Sequence, residues 1–255
     1  MSIISLKAWY LQKYEPLSEL EKRPHDLRLS KNSLLKSGLR ADFLEERDRV
    51  KESQWFRRYL DGEVVEFYIE GSGGYAISNI DLSSHEIYFT KQDVMAHLDP
   101  IIFLCWQTEY PESSVALRDE LNAAIATINT RSRLPLKLEE SQRSRENPLR
   151  LNSRSLRKIR RSLLFIADTT AIARVPGDEP QLIPSGNVCI EIGYALQCKR
   201  TEQILLASLK RGDLSGKVPF DLPNYQQLEF RDADELGKMI PTLLEAMLKR
   251  FNLFS

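Results

Sequence analysis

Apolar positions along the chain change rhythm near residue 98. Before that point they are scattered among charges. Leu34, Leu35, Leu39, Phe43 and Leu44 recur at close to helical spacing, which predicts an amphipathic helix from Ser33 to about Lys51. Glu63–Ile69 (EVVEFYI), Tyr75–Ile80 (YAISNI) and Glu86–Thr90 (EIYFT) are β-branched and aromatic runs. They are broken by Gly71-Ser72-Gly73-Gly74 and by Asp81–His85, so they predict a three-stranded antiparallel meander. The GSGG stretch lacks a following helix and the Lys-Ser/Thr of a phosphate loop, and reads as a hairpin tip.

From Ile101 onward, strand and helix patterns alternate. Ile101–Cys105 (IIFLC) and Leu163–Ala167 (LLFIA) are continuous apolar runs, as expected of central strands covered on both faces. Leu134–Leu138, Ile204–Ala207 and Leu228–Phe230 supply further strands, with Pro135 pushing its run toward a sheet edge. Helical stripes run through Ser113–Asn129, Arg154–Arg161, Asn187–Lys199 and Asp232–Phe251. Alternating strands and helices predict a parallel sheet with right-handed crossovers, a flavodoxin-like α/β sandwich over residues 98–255. It follows a small α+β domain over 1–97, with Asp99-Pro100 at the border.

Composition narrows the classes of function. Thirty-six Lys and Arg balance thirty-six Asp and Glu, so no bulk field draws the chain to nucleic acid or an anionic membrane. The apolar runs are far shorter than the ~20 residues of a membrane helix. The N-terminus lacks the pattern of a secretory signal, and the three cysteines are odd in number and without metal spacing, so a reducing cytoplasm is the expected compartment. No metal is expected. One local charge excess stands out. Between Gln142 and Arg161 lie eight basic residues (Arg143, Arg145, Arg150, Arg154, Arg157, Lys158, Arg160, Arg161) and one acid, Glu146. A solvated face, self-association and nucleic-acid binding all remain open for it. The absence of interleaved aromatics weighs against nucleic acid.

Ligands of open parallel sheets bind beyond the carboxyl ends of the strands. That selects Trp106-Gln107 and their neighbours, Asp168-Thr169-Thr170, the Pro176–Gly186 loop leading to Asn187, and Ser208 to Phe220-Asp221-Leu222. Glu191 is the most informative residue, because it lies beside the Val188, Ile192, Ala195 stripe rather than opposite it. It either binds a ligand or complements the dipole of its helix.

The strings FLCWQTEYP (103–111), RRSLLFIADTT (160–170), PSGNVCIEIGYAL (184–196) and PFDL (219–222) resemble the bacterial TIR-like family. These are nucleotide-binding domains related in fold to nucleoside deoxyribosyltransferases and used as anti-phage effectors. The resemblance spans about residues 100–231. Its most specific piece is Asn187-Val188 followed by Glu191-Ile192-Gly193-Tyr194-Ala195. Ser185-Gly186 replaces the family's Pro-Asn, and Cys105 stands in place of a serine.

The resemblance implies cleavage of an N-glycosidic bond, most often the nicotinamide–ribose bond of NAD+, with Glu191 as the catalytic carboxylate and no cofactor beyond the substrate. Trp106 or Tyr194 would stack on a base or instead pack in the core. Arg118 and the amides opening the Ser113 helix would meet phosphates. Asp168 would bind a ribose hydroxyl or only cap its own loop. Gln107, Asn187 and Phe220 complete the implied substrate-binding set. The resemblance further implies a homo-oligomer, or activation by a partner protein or a small nucleotide signal, with the basic loop gating the site. Two alternatives accompany this reading: a module that binds a nucleotide signal without cleaving it, and a deoxyribosyltransferase-like N-glycosidase of free nucleotides.

Overall fold

The computed structural model describes residues 5–35, 38–92, 95–143, 153–178, 180–217, 223 and 226–254. The chain divides into two units, Met1–His97 and Leu98–Ser255.

The first unit is a closed barrel of six antiparallel strands. They are β1 (Ser5–Tyr10), β2 (Leu27–Leu35), β3 (Gly38–Phe43), β4 (Glu66–Ile69), β5 (Gly73–Asp81) and β6 (Glu86–Lys91), in the order β1-β2-β3-β6-β5-β4 with β4 closing onto β1. The meander expected over 63–90 is present as β4-β5-β6. Its first turn places Gly71 and Gly73 at φ +69° and +107°, a left-handed backbone that favours glycine.

The helix expected from Ser33 to Lys51 is not formed. Residues 33–35 belong to β2, Gly38–Phe43 form β3, and only Arg47–Glu52 (α2) is helical. The reason is a period of two that the leucine spacing masks. Leu39, Ala41 and Phe43 are buried while Arg40 between them is exposed, and Leu27 and Leu29 alternate in the same way on β2. Two register shifts, at Lys31/Ser33 and Ile77/Asn79, mark bulges of the kind that let strands bend into a closed barrel. Two further helices, α1 (Leu17–Leu20) and α3 (Gln54–Leu60), complete the unit. The Ser53 hydroxyl caps α3 by accepting from the Phe56 amide at 3.3 Å. Trp55 of α3 then sits edge-on to Phe67 at 5.3 Å, in a core with Phe43, Tyr75, Ile87 and Phe89. A six-stranded barrel is narrower than the eight-stranded kind that can hold one small ligand, and this interior is filled by side chains.

The second unit is a three-layer α/β sandwich. Its sheet contains β7 (Asp99–Cys105), β8 (Lys137–Glu140), β9 (Ser162–Asp168), β12 (Ile204–Leu209) and β13 (Gln227–Phe230), all parallel, in the order β13-β12-β9-β7-β8. Counted from its first strand, that order is 2-1-3-4-5. Helices α4 (Pro111–Asn129) and α7 (Ala233–Leu248) pack together, as do α5 (Ser153–Arg161) and α6 (Gly186–Cys198). Phe103, Cys105, Phe165 and Ala167 alternate along β7 and β9 to meet Ile159 of α5 and Val188, Ile192 and Ala195 of α6.

Two details differ from the sequence pattern. The second strand starts at Lys137 rather than Leu134, because both backbone groups of Leu136 bond the Asn129 side chain instead of a neighbouring strand. The loop before α6 holds a two-stranded hairpin, exposed β10 (Ala173–Val175) with partly buried β11 (Gln181–Ile183). No helix among the described residues is long and apolar enough to cross a membrane.

Candidate functional site

The strand order reverses at β7, so the loops after β7 and β9 flank the switch point at which doubly wound sheets present ligands. The side chains around that edge form two polar clusters.

The first surrounds Glu191. The Val188, Ile192, Ala195 stripe seats α6 on the sheet, and this brings Glu191, in the second turn, to the carboxyl ends of β7 and β8. Glu191 is buried, only 5% exposed. The Arg143 guanidinium grips it at both oxygens, Nη1 to Oε1 at 2.8 Å and Nη2 to Oε2 at 3.0 Å, and the Ser141 hydroxyl donates to Oε2 at 2.7 Å. Arg143 also donates from Nε and Nη2 to the Trp106 carbonyl, at 3.0 and 2.8 Å. Burial alone would lower the guanidinium's pKa, but the hydrogen bonds and charge of Glu191 outweigh it and hold the group above its usual value. Beneath the pair lies Cys105, fully buried, with Sγ 3.6 Å from Nη2. Burial first, and then the Glu191 charge, push its thiol well above the usual cysteine range.

Trp106 closes the edge of this cluster. Its indole donates to the Ser141 carbonyl at 2.7 Å, and the Arg118 guanidinium stands over the ring at 5.5 Å. Arg118 itself is held by Glu140 through two bonds of 2.7 and 2.8 Å, so a phosphate there would have to displace a carboxylate.

The second cluster surrounds Asp168 at the end of β9. Its carboxylate is fully buried and accepts from the Ser113 and Ser114 hydroxyls, each at 2.6 Å, and from the Thr170 amide at 3.0 Å. This is the arrangement of a cap: a negative group set against the first turn of α4, where the helix dipole favours it. Gln107, also fully buried, ties the β7 loop to the β9 loop by donating from Nε2 to the Thr170 carbonyl at 2.9 Å. Its Oε1 has no partner among the described residues.

The remaining candidates are more dispersed. Asn187 lies half-buried in the first turn of α6, and Tyr194 packs against the Phe103 and Phe165 cluster. Phe220 lies outside the described residues. Sequence reasoning passed over Ser141 and Arg143. Arg143 stood inside a run read for its net charge and, by resemblance, as a gating loop, with no role given to that residue, and Ser141 becomes a strand-end residue only once β8 is placed at 137–140. Glu109, within the FLCWQTEYP string but given no role of its own there, accepts from the Ser185 hydroxyl at 2.8 Å and so ties the β7 loop to the start of α6. No group of three or more His, Cys, Asp or Glu suited to a metal occurs among the described residues. Comparison of the chain with protein-family models, curated proteins and solved structures finds no match.

Proposed function

We propose that the second unit is a flavodoxin-like, TIR-like domain that hydrolyses the N-glycosidic bond of NAD+ or a related nucleotide, and that the closed Arg143–Glu191 pair is its resting state. The 2-1-3-4-5 strand order supports the flavodoxin-like assignment. The observation that carries the functional reading is Glu191 itself, a buried carboxylate held at the carboxyl edge of the sheet beside the switch point. Breaking the nicotinamide–ribose bond develops an oxocarbenium-like sugar, which a nearby carboxylate stabilises. Nicotinamide departs neutral from a cationic ground state, so no general acid is needed. In this reading Asn187, Tyr194 and Trp106 line the nucleotide while the buried Gln107 braces the loop behind them, and the barrel unit senses an activating signal or brings copies of the chain together in the cytoplasm.

The test is nicotinamide release from NAD+ by the purified full chain, beside Glu191→Gln. Loss of one electrostatic stabiliser of this kind lowers kcat by about 10²–10³-fold. Equal release by the two proteins removes Glu191 from the chemistry. One observation favours a second reading, a module that binds a nucleotide without cleaving it: both Glu191 oxygens are already engaged. Intact nucleotide recovered from a tight complex after long incubation would select that reading.

A further inference from the structure

Resting on the hydrolase reading, we propose that Arg143 is a phosphate-operated clamp on Glu191. The diphosphate of an incoming nucleotide takes the guanidinium and thereby frees the carboxylate. A carboxylate held by a two-pronged guanidinium forms a unit with no net charge, whose field largely cancels over the distance of a sugar ring. Glu191 in this pairing cannot stabilise a cation, and three hydrogen bonds already fall on its two oxygens. The guanidinium must leave before the carboxylate can act.

What can draw it away is set by its shape. The planar fork of arginine fits phosphate oxygens as well as it fits a carboxylate. Three arginines at this edge hold carboxylates: Arg118 holds Glu140, Arg211 holds Asp213, and Arg143 holds Glu191. The start of α4, otherwise suited to an anion, already carries the buried Asp168 carboxylate. A diphosphate taking any of these three arginines must therefore exchange into an existing pair. Exchange at Arg118 or Arg211 releases Glu140 or Asp213, whereas exchange at Arg143 releases Glu191, the carboxylate assigned to the chemistry. Binding and activation are then one event, and a nucleoside lacking phosphate leaves the clamp shut.

Cys105 reports the clamp independently of turnover, because its buried Sγ lies 3.6 Å from Arg143 Nη2 and loses that neighbour when the guanidinium moves. The experiment uses the full chain carrying Cys189→Ser and Cys198→Ala, so that Cys105 is the only thiol, and measures its alkylation by iodoacetamide. Pyrophosphate or ADP-ribose at saturation is expected to speed labelling about tenfold or more by shifting the clamp toward its open form. Adenosine, and chloride at matched ionic strength, leave the rate unchanged. A response to pyrophosphate alone assigns the clamp to free anion, and a response only to ADP-ribose assigns it to the nucleotide. Arg143→Lys, which loses the fork, labels fast without any anion. Glu191→Gln, which keeps the shape and loses the charge, does the same from the other side. Labelling that no phosphate compound accelerates, or that adenosine or chloride accelerates equally, overturns the proposal. An open clamp with no nicotinamide release from NAD+ would instead sink the hydrolase reading alone. Release with Cys105 still sealed would sink only the clamp.

Discussion

Arg143→Met alone is expected to lower the unfolding free energy by about 3–5 kcal/mol, because it leaves the Glu191 charge buried without its counterpart. The side chains of the pair are only 9% and 7% exposed, so water cannot take over the lost interaction. Glu191→Leu should cost a similar amount from the opposite direction. Arg143→Met combined with Glu191→Leu should recover most of the loss, since exchanging a whole buried pair for apolar groups is often close to neutral. Recovery stays incomplete because the Trp106 carbonyl loses both of its donors, at a cost of about 1–3 kcal/mol. Urea unfolding of the four proteins, followed by far-UV circular dichroism, gives the cycle. Single variants costing less than about 1 kcal/mol would mean that the pair behaves like an exposed ion pair.

The other large effect is expected in the barrel. Phe67 is fully buried, with ring centroids of Trp55, Tyr10 and Phe89 at 5.3, 6.0 and 6.0 Å. Phe67→Ala removes a ring from a closed structure whose strands are each paired on both sides, so the walls can collapse only partly into the space. The expected cost is about 3–5 kcal/mol, a large share of the ~5–15 kcal/mol that holds a typical domain together. Leu60→Ala serves as the control. Leu60 is 67% exposed, and its replacement should shift stability by no more than about 0.5 kcal/mol. Similar midpoints for the two variants in thermal unfolding would show that the barrel interior is not the core of this unit.

The two halves of the chain were legible to different degrees, for physical reasons. The parallel sheet announces itself locally: IIFLC and LLFIA are apolar throughout because both faces of β7 and β9 are covered, and the α4 and α6 stripes sit at helical spacing. The barrel does not. Its closing contact joins β1 to β4, about sixty residues apart in sequence, and nothing in either strand alone specifies that pairing. The leucines from 34 to 44 match a helical stripe nearly as well as they match two successive strands, and the tertiary pairing decides between them.

The site divides along the same line. Glu191 was legible because its position relative to the α6 stripe is a property of one helix. Arg143 was not, because a guanidinium in a run of eight basic residues looks alike whether it faces water or a carboxylate 48 residues away. Its neighbours in α5 follow the surface pattern, with Arg157 and Arg160 exposed. Only the fold separates Arg143, which turns inward, from these exposed neighbours. Asp168 shows the converse: a strand-end aspartate that invites a ligand role is committed to two serine hydroxyls at the start of α4.

The most direct measurement is a crystal structure of the full chain with a slowly hydrolysed NAD+ analogue bound. The account predicts the Glu191 carboxylate at reacting distance from the ribose anomeric carbon, about 3–3.5 Å, with Arg143 turned onto the diphosphate. An analogue seated elsewhere while Arg143 and Glu191 stay joined would contradict it.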